Sequence, residues 1–282
     1  MENQNKKKWI PIVLILVGAA FFVIMLILPL ITVLFRSLKD GWELYASALT
    51  AKNTLSALKV SLIAAGIALL VNTFFGLCAA WLITKFEFRG KQVLSTLIDI
   101  PFSISPVIAG LAFIMMFGRM GWAAPLLDRF NAFFGTDIAL VFSIPGVVLA
   151  TIFVTFPFVS RELIPVMSAQ GNSEEEAAAM MGAGGLSIFR RVTLPHIKWT
   201  LAYGMILCTA RALGEFGAVY AVSKTRGQTF TLTLEVDALY MSGTADSITQ
   251  AFAVSSLLVM IAIAILVVKQ IIEYRGRNEK EE

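Results

Sequence analysis

Arg211 and Glu215 stand four residues apart in TARALGEFGAVYAVS (Thr209–Ser223), a stretch whose other residues are apolar or small. That spacing places both on one face of a helix, where a cation and a carboxylate can pair. Ionisable side chains in an apolar helix mark a protein interior or a wet cavity. Two roles stay open for the pair: a structural salt bridge or gate, or a substrate path in which Arg211 attracts an anion. Gly214 and Gly217 beside it allow another helix to come close.

The remaining reactive residue types exclude most chemistry. His196 is the single histidine, and Cys78 and Cys208 are the only cysteines; none has a second ligand type at metal spacing, and the cysteines form no disulfide framework. His196 suits a hydrogen-bonding role. GAGG at Gly182–Gly185 lacks the spaced glycine followed by Lys and Ser or Thr, and no phosphate-binding loop of that kind occurs anywhere in the chain. No Ser/His/Asp constellation can be assembled. An enzyme is not expected, and neither is a cofactor bound by this chain.

The elements that must hold Arg211 and Glu215 are membrane helices. Of 282 residues, 57% are hydrophobic and 15% charged, against roughly 25% charged in an ordinary soluble domain. Trp9–Phe35, Val60–Thr84, Ile138–Ser160 and Ile248–Val268 contain no charged residue, and each is long enough to cross ~30 Å of hydrocarbon. Val93–Phe117 and Trp199–Val222 are as long but carry Asp99 in one and Arg211 with Glu215 in the other. Backbone groups in lipid must be satisfied internally, so these windows predict an all-α polytopic membrane protein with six transmembrane helices. The first run is too long for a signal-peptide core and reads as a retained helix.

Prolines recur in these windows. Pro101 and Pro106 interrupt the third, Pro145 and Pro157 mark the fourth, and Pro29 bends the end of the first. Asp99, beside Pro101 and Pro106, is a candidate cap for a broken helix or a contact to a partner subunit.

Basic residues set the orientation. With both termini inside, fourteen Lys and Arg fall on the cytoplasmic side and eight outside, an N-in/C-in bias. The net charge of +4 is spread over helix ends rather than gathered on a stripe, which argues against nucleic acid. The expected layout is a basic cytoplasmic N-terminus (1–8), a six-helix domain (9–272) and a charged cytoplasmic tail (273–282). Trp42–Tyr45 and Gly121–Phe130, in the outer connections, suit short amphipathic elements.

One cytoplasmic connection is organised differently. In residues 173–195, Ser173 can cap a helix whose first turn carries Glu174, Glu175 and Glu176. Ala177, Ala178 and Ala179 then favour helix while presenting little bulk. Gly182, Gly184 and Gly185 end or turn it, and Leu186, Ile188, Phe189 and Val192 offer apolar anchors for a second short helix before Leu194 and Pro195. Such a lever suits mechanical coupling to another protein; an ordinary helical hairpin with no partner is the plain alternative.

The order Glu176-Ala177-Ala178, three residues, Gly182, nine residues, Val192, one residue, Leu194-Pro195 resembles the EAA signature of importer-type ABC permeases, with Val192 where that pattern usually has isoleucine. The swap keeps a β-branched apolar anchor. The resemblance implies a type I importer transmembrane domain (MetI-like) and ATPase-coupling roles for Glu176, Ala177, Ala178, Gly182, Val192, Leu194 and Pro195.

Three longer blocks, Leu82–Leu111, Thr151–Met167 and Ala210–Ser223 continued by Thr225–Tyr240, resemble the sulfate and thiosulfate permeases of that family, with Lys224 a departure in charge. This implies a bacterial inner-membrane subunit working with a second homologous permease, two copies of a cytoplasmic ATPase that binds ATP and Mg2+, and an extracytoplasmic sulfate-binding protein. Molybdate or tungstate, also tetrahedral dianions, is the nearest alternative cargo; a passive channel or membrane scaffold is the alternative of another class.

Overall fold

The computed structural model describes residues 2–281, with side chains for residue 9 and residues 11–276. The side chains of the expected basic N-terminus and of residues 277–282 lie outside that description. Among the described residues no strand occurs. In chain order the helices are α1 (Glu2–Phe22), α2 (Leu28–Ser37), α3 (Trp42–Thr50), α4 (Lys52–Lys85), α5 (Lys91–Ser103), α6 (Pro106–Phe117), α7 (Ala124–Phe134), α8 (Ile144–Thr155), α9 (Pro157–Gln170), α10 (Ser173–Met180), α11 (Gly185–Ile188), α12 (Leu194–Leu213), α13 (Gly217–Val222), α14 (Leu232–Met241) and α15 (Ala245–Glu281). Wide π-helical turns at Val23–Ile27 and Phe189–Thr193 join α1 to α2 and α11 to α12.

Four helical stretches are long and apolar enough to cross a membrane: Pro11–Ser37, Lys52–Lys85, Ile144–Gln170 and Ala245–Gly276. The third, fourth and fifth of the six expected windows differ from single helices; the fourth is helical only from Ile144 and divides at Phe156 into α8 and α9. In the third, α5 and α6 meet at 106°, so it is either one broken span or a re-entrant turn. The break falls at Ile104 and Ser105, both extended. Ser105 precedes Pro106, whose ring disfavours helical geometry in the residue before it, and Pro106 then opens α6. Pro101 stays inside α5 and is buried. The fifth window stops at Leu213 and resumes at Gly217. The expected amphipathic elements of the outer connections are helical, as α3 and α7.

The chain divides into two compact units, residues 1–51 with 236–260, and residues 52–235 with 261–282. In the first, the Tyr45 hydroxyl lies 3.2 Å from Ser256 Oγ, Thr249 donates to Asp40, and Arg36 sits over the Phe252 ring. None of the most apolar stretch of Pro11–Ser37 is buried.

The second unit is built around α4. Ala57, Ala64, Ala65, Ala68 and Ala80 are buried on it, and small residues of this kind let helix backbones approach in lipid, where no hydrophobic force drives helices together and close packing must hold them. At Gly76 a Cβ would stand 3.0 Å from Val159 Cβ. One core joins Val60 and Ala64 to Val147, Ala150, Val154, Ala218, Val219 and Val222. A second joins Ala80 to Val159, Leu163, Met167, Ile197 and Cys208.

A buried amide repairs the kink between α8 and α9. Pro157 has no N–H, and Phe156 N donates to Phe153 O rather than continuing the α-helical ladder to Ile152 O. Asn72, fully buried on α4, donates to that freed carbonyl at 3.2 Å and to Thr155 Oγ1 at 2.8 Å. In hydrocarbon an unpaired carbonyl costs several kcal/mol, so Asn72 makes the bent helix tolerable.

Candidate functional site

The segment 173–195 folds as two short helices and a turn. Asn172, not Ser173, occupies the cap position of α10, and no side chain caps it; Ser173 is already within the helix because Gly171 and Asn172 make the turn. Glu174, Glu175 and Glu176 fill the first turn, where negative charge offsets unpaired amide donors. The helix closes as a Schellman turn: Ala183 N donates to Ala178 O at 3.1 Å and Gly182 N to Ala179 O at 2.9 Å. Gly182 has φ +83° with nothing near its Cβ position, so glycine is required there by backbone conformation and not by crowding.

This unit is held by few residues. Ala178 alone is buried on α10, while Glu176 and Ala177 are exposed. Leu186, expected as an anchor, is 82% exposed, alongside Met180 and Met181 at 86% and 83%. The tight turn throws Leu186 to the outside, and anchoring falls to residues further on. Phe189 packs on Trp81 with ring centroids 5.4 Å apart, Val192 and Leu194 are half-buried, and Pro195 is exposed at the start of α12. Two exposed methionines and a leucine on one short connection form an adaptable apolar surface.

Arg211 and Glu215 do come together. Arg211 Nη1 lies 2.6 Å from Glu215 Oε2, and the carboxylate is 1% exposed. Its other oxygen, Oε1, accepts from Ala218 N at 2.8 Å, which places the acid at the N-terminal end of α13. Thr233 Oγ1 donates to the Glu215 carbonyl at 2.7 Å. Glu215 therefore supports the break between α12 and α13, and Arg211 keeps its partial exposure.

Facing that break is α6. At Gly110 a Cβ would lie 2.6 Å from Ala218 O and 2.7 Å from Ala221 Cβ; at Gly217 it would meet Pro106 Cβ at 3.0 Å. The two interrupted windows thus cross at a glycine-to-backbone contact. Asp99 does not cap the α5–α6 break: its Oδ1 pairs with Arg161 Nε on α9 at 3.1 Å, and Arg161 also covers the Phe102 ring.

A further pair, unmarked by spacing in the sequence, joins Arg226 to Glu235. Arg226 Nε donates to Glu235 Oε2 at 3.0 Å and Nη2 donates to Oε1 at 2.6 Å, a two-pronged contact to a carboxylate 1% exposed. The hydrogen bonds to Glu235 raise the Arg226 pKa above its ordinary value, outweighing partial burial, with the nearby charge adding to the effect. Two acids, Glu235 and Asp237, in the otherwise uncharged TLTLEVDALY are the available signal. His196 Nε2 stands 2.9 Å from Glu174 Oε2. Among the described residues no group of His, Cys, Asp and Glu is arranged to hold a metal.

Residues 72–275 match the family model described as "Binding-protein-dependent transport system inner membrane component". The chain is 40% identical to the sulfate transport system permease protein CysW of Synechocystis sp., covering 99% of each chain. It is 42% identical to the protein of the same name from Escherichia coli strain K12, over 98% of this chain and 91% of that one. In fold it is similar to a chain of a bacterial alginate ABC transporter crystallised with an alginate pentasaccharide-bound periplasmic protein, with TM-score 0.76, 18% identity and coverage of 98% and 96%.

Proposed function

The chain belongs to the family of binding-protein-dependent transport system inner membrane components, and from that premise we propose that it is the CysW-like permease subunit of an ATP-driven importer that carries sulfate or thiosulfate into the cytoplasm. The supporting observation is near-full-length identity of 40–42% to permeases named for sulfate transport. It is a multi-pass membrane subunit without catalytic activity of its own. The proposed setting is a bacterial inner membrane, with six spans and both termini inside: α1 with α2, α4, α5 with α6, α8 with α9, α12 with α13, and α15.

The working partners are a CysT-like permease, an extracytoplasmic sulfate-binding protein and two copies of a CysA-like ATPase holding ATP and Mg2+. Glu176, Ala177 and the exposed Met180, Met181 and Leu186 form the face offered to the ATPase. Gly182 sets the angle between the two short helices, Ala178, Val192 and Leu194 seat them, and the exposed Pro195 opens α12 behind them. Arg211 and Glu215 serve as a gate element beside the substrate path, supported by their position at a helix break. Asp99, Pro101 and Pro106 shape the facing break and its link to α9.

Energy must come from outside the chain. Moving a dianion against an inside-negative potential of about 100 mV costs ~4.6 kcal/mol before any concentration gradient. Nucleotide binding in the ATPase can supply this by favouring one orientation of the cavity over the other.

Labelled sulfate uptake into vesicles holding the whole complex tests the assignment. Uptake should require ATP and this subunit and should be displaced by thiosulfate more readily than by molybdate. Unchanged uptake without the subunit defeats the reading; ATP-independent uptake makes the chain a channel, and preferential molybdate uptake makes it a molybdate permease.

A further inference from the structure

The coupling helix α10 has eight residues, too few for an isolated helix to persist in water, and buries one alanine. Apolar contact is therefore not what fixes it. Lys85, the last residue of α4, has 5% of its side chain exposed and places Nζ 3.1 Å from Glu175 Oε1. The same ammonium donates to Gly171 O at 2.6 Å. Thr193 Oγ1, in the π-helical turn leading into α12, donates to the same Glu175 oxygen at 2.7 Å. One carboxylate oxygen thus joins the end of α4, the coupling helix and the entry to α12.

The three successive acids are used differently. Glu174 reaches His196 at the start of α12, Glu175 turns inward to Lys85 and Thr193, and Glu176 is exposed. A lysine at a helix end normally keeps its ammonium in water. Here it is withdrawn, and a desolvated cation holds its partners in one geometry because every alternative leaves a buried charge unpaired.

We propose that the Lys85–Glu175–Thr193 node is the rigid joint through which movement of α10 is passed to α4 and α12, making Lys85 and Glu175 positioning residues of the transport cycle. The proposal rests on residues 173–195 facing an ATPase. A push on the exposed face of α10 would otherwise rotate or fray a helix that has almost no core of its own. With the node intact, α10 moves together with α4, the helix around which the second unit is packed.

The test uses the full complex in vesicles, with ATP hydrolysis measured with and without sulfate-loaded binding protein, and co-purification of the ATPase as a separate readout. Lys85→Met and Glu175→Gln should retain the ATPase yet lose most of the stimulation, by roughly tenfold, the scale of one charge-assisted hydrogen bond. Lys85→Arg should keep it, and the exchange Lys85→Glu with Glu175→Lys should recover part of what either single change loses. If Lys85→Met does not assemble, Glu175→Gln, which keeps an acceptor for both donors, decides alone. Wild-type stimulation in Glu175→Gln, or loss of ATPase binding in that variant, overturns the joint. Absence of stimulation in the unsubstituted complex instead overturns the assignment of the ATPase-facing segment.

Discussion

Arg211→Leu is expected to destabilise the protein by about 3–5 kcal/mol, because it strands a carboxylate that is 1% exposed and has no water to turn to. Glu215→Gln should cost far less, about 1–2 kcal/mol. The amide still accepts from Ala218 N, and the guanidinium left behind is 32% exposed on its side chain. The order of the two effects is the informative part. Thermal unfolding in detergent should show a large fall in Tm for Arg211→Leu, a small one for Glu215→Gln, and partial recovery in the double variant. If Arg211→Leu leaves Tm unchanged and only weakens sulfate uptake, Arg211 is a substrate contact and the pair is not a structural support of the break.

Gly110→Val should be the most damaging single substitution between the two interrupted windows. Its Cβ would sit 2.6 Å from the Ala218 carbonyl oxygen and 3.2 Å from Ala218 Cα. Those are backbone atoms, so no rotamer change relieves the clash; α6 and α13 must separate. Overpacking of a tight site costs about 1–3 kcal/mol even where side chains can adjust, and a rigid obstacle places this variant at or above the upper end. Gly66→Ala on α4 is the control, with nothing within 4 Å of its Cβ position, and should gain up to about 1 kcal/mol from helix propensity. Opposite signs of Tm shift for the two variants are the expected result; equal, small shifts would mean that α6 and α13 do not pack as described.

These contacts separate what could be read from residue order from what could not. The span-length stretches Pro11–Ser37, Lys52–Lys85, Ile144–Gln170 and Ala245–Gly276, the Arg211–Glu215 pairing and the Gly182 turn follow from local rules of hydropathy, helical spacing and positive φ, and these are present in the fold. The interruption of the third window was also legible as prolines, but its position was not. Pro101 is accommodated inside α5, and the chain breaks at Ile104 and Ser105, because the residue preceding Pro106 bears the steric penalty.

Leu186 illustrates the limit of composition. A leucine after a glycine turn reads as an anchor, yet the angle of the turn decides which side it faces, and it faces outward. Lys85 shows the same limit for charge. Its place at the end of an apolar window marks it as a topology signal, and only the fold brings Glu175, ninety residues later in the chain, to its ammonium. Arg226 and Glu235 likewise meet because the connection between α13 and α14 folds back, which no periodicity announces.

On the proposed function, the outward face of α10 meets an ATPase on the cytoplasmic side. One accessible cysteine, introduced at the exposed Ala177, tests it, with Cys78 replaced by serine and the buried Cys208 left in place. In the assembled complex, a short reagent carrying a maleimide for the Ala177→Cys thiol and a photoactivated group that bonds to any residue it meets should join this chain to the ATPase subunit, and a membrane-impermeant thiol reagent added outside intact cells should leave Ala177→Cys unlabelled. Labelling from outside, or no cross-link to the ATPase in a complex that contains it, would contradict the account.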